Sequence, residues 1–282
     1  KMKFNEKIYE RPDYDNTAGQ MNAHLEELDK AEDKEPFLKV FFEINDIRVH
    51  VTTMNILCSV RHSINTVDEF YDKETDYWNE MGPQYEVLED RMRKICADVP
   101  FKEDLYDEIP ETFFALNECK MKSFDESVVP LLVEENKLAT EYGKLKASAK
   151  IEFEGKIMNL AEIAEPCECD DRNRRKAANE AKYAWYEEHE EQFDDIYDRM
   201  VKVRTDIAHQ LGYKDYVDLA YYRMMRLGYD RNMVAGYRKQ ILDYVTPFAC
   251  RIYEKQRKRT GLDKLEYYDL NYSFKDGNPL PK

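Results

Sequence analysis

Cleaving a peptide or ester bond needs an activated nucleophile, or a metal with a base beside it, so the histidines and cysteines come first. His189-Glu190-Glu191-Gln192-Phe193 is the nearest approach to H-E-x-x-H. In that motif two imidazoles four residues apart share a helix face and hold zinc, and the glutamate takes a proton from water. Phe193 stands where the second imidazole belongs, and Glu187, Glu188, Glu190 and Glu191 read as a solvated acidic face. The other histidines, His24, His50, His62 and His209, have no partner at ligand spacing. Among the cysteines, Cys58, Cys96, Cys119 and Cys250 are isolated, and only Cys167-Glu168-Cys169 is a close pair. A lone C-x-C lacks the second pair of a structural zinc site. Two free thiols in a loop are its ordinary reading, and a metal site that also used His189 is the other. No G-x-S-x-G, phosphate loop or G-x-G-x-x-G occurs. No catalytic residue and no metal ligand is therefore assigned.

The remaining candidate is aromatic. Tyr213, Tyr216, Tyr221, Tyr222 and Tyr229 cluster beside Arg223 and Arg226. Phenols and guanidinium groups can line a cleft that holds peptide backbone. Tyrosine is equally at home between packed helices. Under the first reading Tyr221, Tyr222, Arg226 and Tyr229 form the wall of such a cleft. Acidic pairs such as Glu134-Glu135 are abundant and read as ordinary solubility.

The elements that must position these residues are nearly all helices. Apolar residues recur every three or four positions through Ala18, Met21, Leu25 and Leu28, and again from Val40 to Cys58. A third stretch runs from Val67 to Ala97, where Gly82-Pro83 predicts a break or kink. Phe113–Met121 and Val128–Lys146 follow. Ala149–Ile157 then alternates apolar and charged residues, with Glu154-Gly155 as a tight turn, and predicts a β-hairpin near 149–159. Asp170-Asp171 open a very long predicted helix that closes at Leu211-Gly212-Tyr213, about 60 Å at 1.5 Å per residue. A helix from Asp215 to Leu227 and another from Asp230 to Gly261, kinked at Pro247, complete the pattern. Turn chemistry in Asp276-Gly277-Asn278-Pro279 and Pro281-Lys282 ends it. The expectation is an all-α protein of long antiparallel helices with one small hairpin. An amino-terminal helical lobe over 1–146 and a second region over 147–282 are its expected domains.

Composition sets the outer limits. The 282 residues carry 43 Lys and Arg against 58 Asp and Glu, a net charge of −15. That balance argues against nucleic acid, which needs a basic footprint. Mean hydropathy is low, yet 2 Trp, 21 Tyr and 13 Phe are far more aromatics than a disordered chain holds. No window approaches the ~20 apolar residues of a membrane span, and the amino end has no apolar signal core. Reduced thiols and a cytoplasmic location are the expectation.

Several blocks taken in order resemble the oligoendopeptidase F group of zinc metallopeptidases, relatives of thimet oligopeptidase. They are Ser123-Phe124-Asp125 through Glu134-Glu135-Asn136-Lys137-Leu138 to Tyr142, Ile151 to Lys156, Asp171 to Ala178, and Arg204-Thr205-Asp206-Ile207-Ala208. Leu211 to Tyr216, Arg226-Leu227-Gly228-Tyr229 and Gly277-Asn278-Pro279-Leu280-Pro281-Lys282 complete the set. The resemblance implies one half of a two-lobed helical peptidase about twice this length. Its zinc helix would lie in the half beyond Lys282, and short peptides would enter a narrow channel. The family usually has Thr where Leu280 stands and continues past Lys282. The resemblance thus implies an amino-terminal fragment, inactive alone, with zinc in the parent enzyme and none bound here. Self-association through the surface exposed at the cut is a further expectation. A complete, non-catalytic helical scaffold that binds a protein partner is the alternative.

Overall fold

The computed structural model describes residues 4–275. The helices are α1 Tyr14–Asp29, α2 Lys34–Ile64, α3 Glu69–Asp98, α4 Glu111–Met121 and α5 Val129–Ala147. They continue with α6 Arg172–Glu188, α7 Glu190–Gln210, α8 Tyr216–Arg223, α9 Arg231–Gln240 and α10 Thr246–Thr260. Between α5 and α6, β1 Ile151–Phe153 pairs antiparallel with β2 Lys156–Met158, Glu152 opposite Ile157. Glu154 at φ 51° and Gly155 at φ 75° form the connecting turn, whose two positive φ angles match the twist of the strands. The all-α expectation with one hairpin holds among the described residues, while Asp276 to Lys282 lie outside them.

The chain forms two compact units. One comprises residues up to Ala139 together with Met200–Tyr229, and the other Thr140–Arg199 with the residues from Asp230 on. In the first unit α1, α2 and α3 bury a core that includes Leu25, Leu28, Phe37, Ile44, Leu57 and Trp78. Aspartates cap two of its helices: Asp13 accepts from the Asn16 N–H, and Asp68 from those of Phe70 and Tyr71. A second core joins Val128, Leu138, Val203, Ile207 and Leu219. In the second unit the hairpin packs on α6 through Ile151, Phe153, Ile163, Ala178 and Trp185.

Two helix expectations, a break at Pro83 and one unbroken helix from 170 to 211, are corrected, and a third, the kink at Pro247, gains detail. Pro83 sits inside α3 without ending it. A proline there lacks the N–H that would bond the Asn79 carbonyl. Asn136 Nδ2 donates to that carbonyl instead, at 3.2 Å, and Pro83 itself is buried. The long helix predicted from 170 to 211 is two helices divided at His189. His189 Nδ1 donates to the Trp185 carbonyl at 2.8 Å, with its ring stacked on the Trp185 ring at 4.5 Å. The imidazole thus takes the acceptor that the backbone N–H four residues on would use, and that N–H turns to the Tyr186 carbonyl. Pro247 gives a π-turn at Ile241–Val245, where the Thr246 N–H reaches back five residues to Ile241.

One buried cluster fixes the second unit. Arg175 donates to Asp269 and to the carbonyls of Tyr268 and Cys169, and both charged side chains are fully enclosed. Arg172 also donates to Asp269. From α10, Gln256 Nε2 lies 3.1, 3.0 and 2.7 Å from the carbonyls of Asp269, Leu270 and Tyr272.

Candidate functional site

Asp215 caps α8, accepting from the Val217 and Asp218 N–H groups. The sequence expectation runs this helix to Leu227, but it stops at Arg223. Met225 adopts φ 51°, its N–H reaches the Tyr222 carbonyl, and the Arg226 N–H reaches that of Tyr221. Those bonds satisfy the last carbonyls as a left-handed cap does. Gly228 then takes φ 82°, open to glycine without steric cost. The turn folds residues 226–229 back over the end of α8.

This turn brings three of the four candidate residues together. The rings of Tyr221 and Tyr229 meet edge to face at 6.3 Å, and the Arg226 guanidinium lies 6.0 Å from the Tyr229 ring centre. Tyr229 is 40% exposed and Arg226 is exposed, so the cluster presents an aromatic face and a cation to solvent. Tyr222 turns elsewhere. Its ring packs 6.0 Å from Tyr213 and under Lys122 Nζ at 5.2 Å, and the Tyr213 hydroxyl donates to the Lys122 carbonyl. Tyr222 and Tyr213 therefore fit the packing reading.

Beneath the turn lies a charged anchor that the spacing of residues does not announce. Glu135, expected with Glu134 to be a solubility pair, is 5% exposed. Arg223 Nη2 donates to it at 2.7 Å and Arg204 Nε at 2.7 Å, while Arg223 Nη1 also reaches the Tyr216 hydroxyl at 3.1 Å. Burial alone would raise the Glu135 carboxyl, but the two guanidinium groups outweigh it and hold it below its ordinary value. The only sequence signal is that Glu135 falls on the same helix face as the buried Leu138. Arg223 also borders a cavity of about 260 Å³ lined by Pro83, Glu86, Lys120, Ser123 and Asn136.

The described residues hold one group of three that could grip a metal, His24 and Glu27 on α1 with Glu43 on α2, their ligand atoms within 4.8 Å of one another. His24 lies 3.6 Å and Lys39 4.0 Å from the Glu43 carboxylate, and the group is open to solvent. A histidine and a glutamate three apart on one helix, with a glutamate from another, do not match the two-histidine zinc helix implied by the resemblance. Cys167, Cys169 and His189 are not gathered into any such group. Burial raises the Cys167 thiol, and Cys169 donates to the Asp171 carbonyl. No helix among the described residues is long and apolar enough to cross a membrane.

A family profile described as Peptidase M3 N-terminal domain matches residues 4–124. Comparison with curated proteins returned no match. Among solved structures, an oligoendopeptidase F from Bacillus anthracis str. Ames is 40% identical with a TM-score of 0.96. The alignment covers 100% of this chain and 52% of that one. A PZ peptidase A solved with an inhibitor is 41% identical with a TM-score of 0.97, over 99% of this chain and 50% of its own. An oligoendopeptidase F from Enterococcus faecium shares the fold at a TM-score of 0.59 with 15% identity, over 92% of this chain and 55% of its own. The chain thus spans about half the length of these structures. By domain, identity and fold together, it is an oligoendopeptidase F-like chain carrying the Peptidase M3 N-terminal domain.

Proposed function

We propose that this chain is the amino-terminal part of an intracellular zinc metalloendopeptidase that hydrolyses short peptides inside a helical channel. One observation carries the reading: about 40% identity persists over the whole chain while only half of each solved peptidase is matched. In this reading the zinc and the base that activates water belong to the other half, and this chain supplies wall. Zinc would polarise the scissile carbonyl and its attacking water. The residues here would bind and orient the peptide. Tyr221, Arg226 and Tyr229 are the proposed wall positions, because their rings and cation face solvent together. A guanidinium beside aromatic edges suits peptide carbonyls and a terminal carboxylate.

The test compares this chain with the longer polypeptide encoded by its gene, on a quenched short peptide with and without chelator. The longer polypeptide should cleave the peptide and lose that activity with chelator, and this chain alone should be inert. Chelator-sensitive hydrolysis by the 282-residue chain alone, or a stop codon directly after Lys282, would overturn the reading.

A further inference from the structure

Between Arg231 and Lys255 no residue is buried. This arm comprises α9, the π-turn and most of α10, and its composition is wrong for a solvated helix. Met233, Tyr237, Tyr244, Phe248 and Ile252 recur at steps of four and seven residues along one side, each 46–73% exposed. Leu242, Val245 and Tyr253, also exposed, fall on other sides. A helix apolar on several sides is one that something covers. Half of the roughly 200 Å² that a large side chain can bury, over eight such side chains, is about 800 Å², the per-partner area of a standard stable interface.

Charge narrows the occupant. Residues 231–255 hold five Lys and Arg against two Asp and Glu, a net +3 inside a chain of net −15. A two-fold pairing of two copies through this arm would set the same basic patch against itself. An acidic, partly apolar surface fits it. The solved relatives carry about as much chain again as the part matched here. We infer that the arm over residues 231–255 is the seat of the peptidase's other half, and that the surface resting on it there is apolar at its centre and acidic around it. The inference rests on the proposed function, since it takes that second half as the occupant.

Cys250 reports on the arm directly. It is exposed on α10, whereas Cys58, Cys96, Cys119 and Cys167 are buried. Burial raises each of those four thiols, Cys96 to about 12, which keeps them unreactive at neutral pH. A Cys169→Ser background removes the remaining accessible thiol. Alkylation of Cys250, followed by mass mapping of the peptide that carries it, is then timed in the 282-residue chain and in the longer polypeptide. Labelling should be rapid in the chain and slower by roughly tenfold or more in the longer polypeptide. Paired Tyr244→Asp and Phe248→Asp substitutions in the longer polypeptide should return much of the reactivity. A longer polypeptide that cleaves peptide yet labels Cys250 as fast as the chain overturns the inference and leaves the proposed function standing. A chain that is already protected and dimeric by light scattering also overturns it, a second copy then being the occupant. Protection in a longer polypeptide without chelator-sensitive activity supports the docking and counts against the proposed function instead.

Discussion

Arg175 Nη2 donates to Asp269 Oδ1 at 2.7 Å, and neither side chain is exposed. The two residues lie 94 positions apart. Removing one partner of a buried pair strands the other charge without water. Asp269→Asn should therefore cost about 3–5 kcal/mol, read as a lowered urea midpoint. Arg175→Lys should also fail to restore the wild type, because an ammonium cannot reach Asp269 and two carbonyls in separate directions as the planar fork does. An unchanged midpoint in Asp269→Asn would show that the pair contributes no net stability.

Glu135 predicts a pH dependence. Its carboxyl is held below the ordinary value in the folded chain by Arg223 and Arg204, against the opposing effect of burial. A depressed carboxylate gives stability that is fully present above its unfolded value of about 4.3 and lost as pH falls through the folded value. Glu135→Gln should be less stable than wild type by about 3 kcal/mol at pH 7, with the gap closing as acid protonates Glu135 in the wild type. Denaturant melts at about pH 7 and about pH 3 measure both gaps. Equal gaps at the two pH values would contradict the prediction.

Two glycines should respond in opposite directions. Gly228 has φ 82° and open space where a methyl group would stand, so Gly228→Ala meets only backbone strain, about 1–2 kcal/mol. Gly19 lies exposed inside α1 with equal space, and Gly19→Ala should stabilise by up to about 1 kcal/mol. Thermal melts of the two variants, run side by side, test both signs.

The tyrosines separate wall from packing. In the longer polypeptide, Tyr229→Ala should raise KM for a short peptide about tenfold and leave kcat nearly unchanged, as loss of uniform binding does. Tyr222→Ala should leave KM alone and lower stability, because its ring rests between Tyr213 and Lys122. Steady-state kinetics with a parallel melt distinguishes these outcomes.

Periodicity made most of the helices legible, because the apolar stripes from Met21 to Leu28 and from Val40 to Cys58 are the same residues that the first unit buries. The Glu154-Gly155 turn was legible for the same local reason. The division at His189 was not, since it depends on an imidazole competing for one carbonyl. Continuity of α3 through Pro83 was hidden as well. It needs Asn136, 57 residues on from Asn79, to supply the missing donor. The cluster of Tyr221, Arg226 and Tyr229 was readable as a group of types in sequence. That Tyr222 leaves it depends on Lys122, 100 residues back, and that Glu135 supports it depends on Arg223, 88 residues on, and spacing along the chain encodes neither.

A primary amide nitrogen has two hydrogens, and Gln256 spreads them over three carbonyls. Glutamate would turn oxygen toward oxygen, asparagine falls one carbon short, and leucine leaves every acceptor dry. One letter of the sequence thus ties the foot of the exposed arm to three carbonyls of the 269–272 segment. A change at that letter would loosen both stretches at once, and with them the backbone of the Asp269 that Arg175 holds.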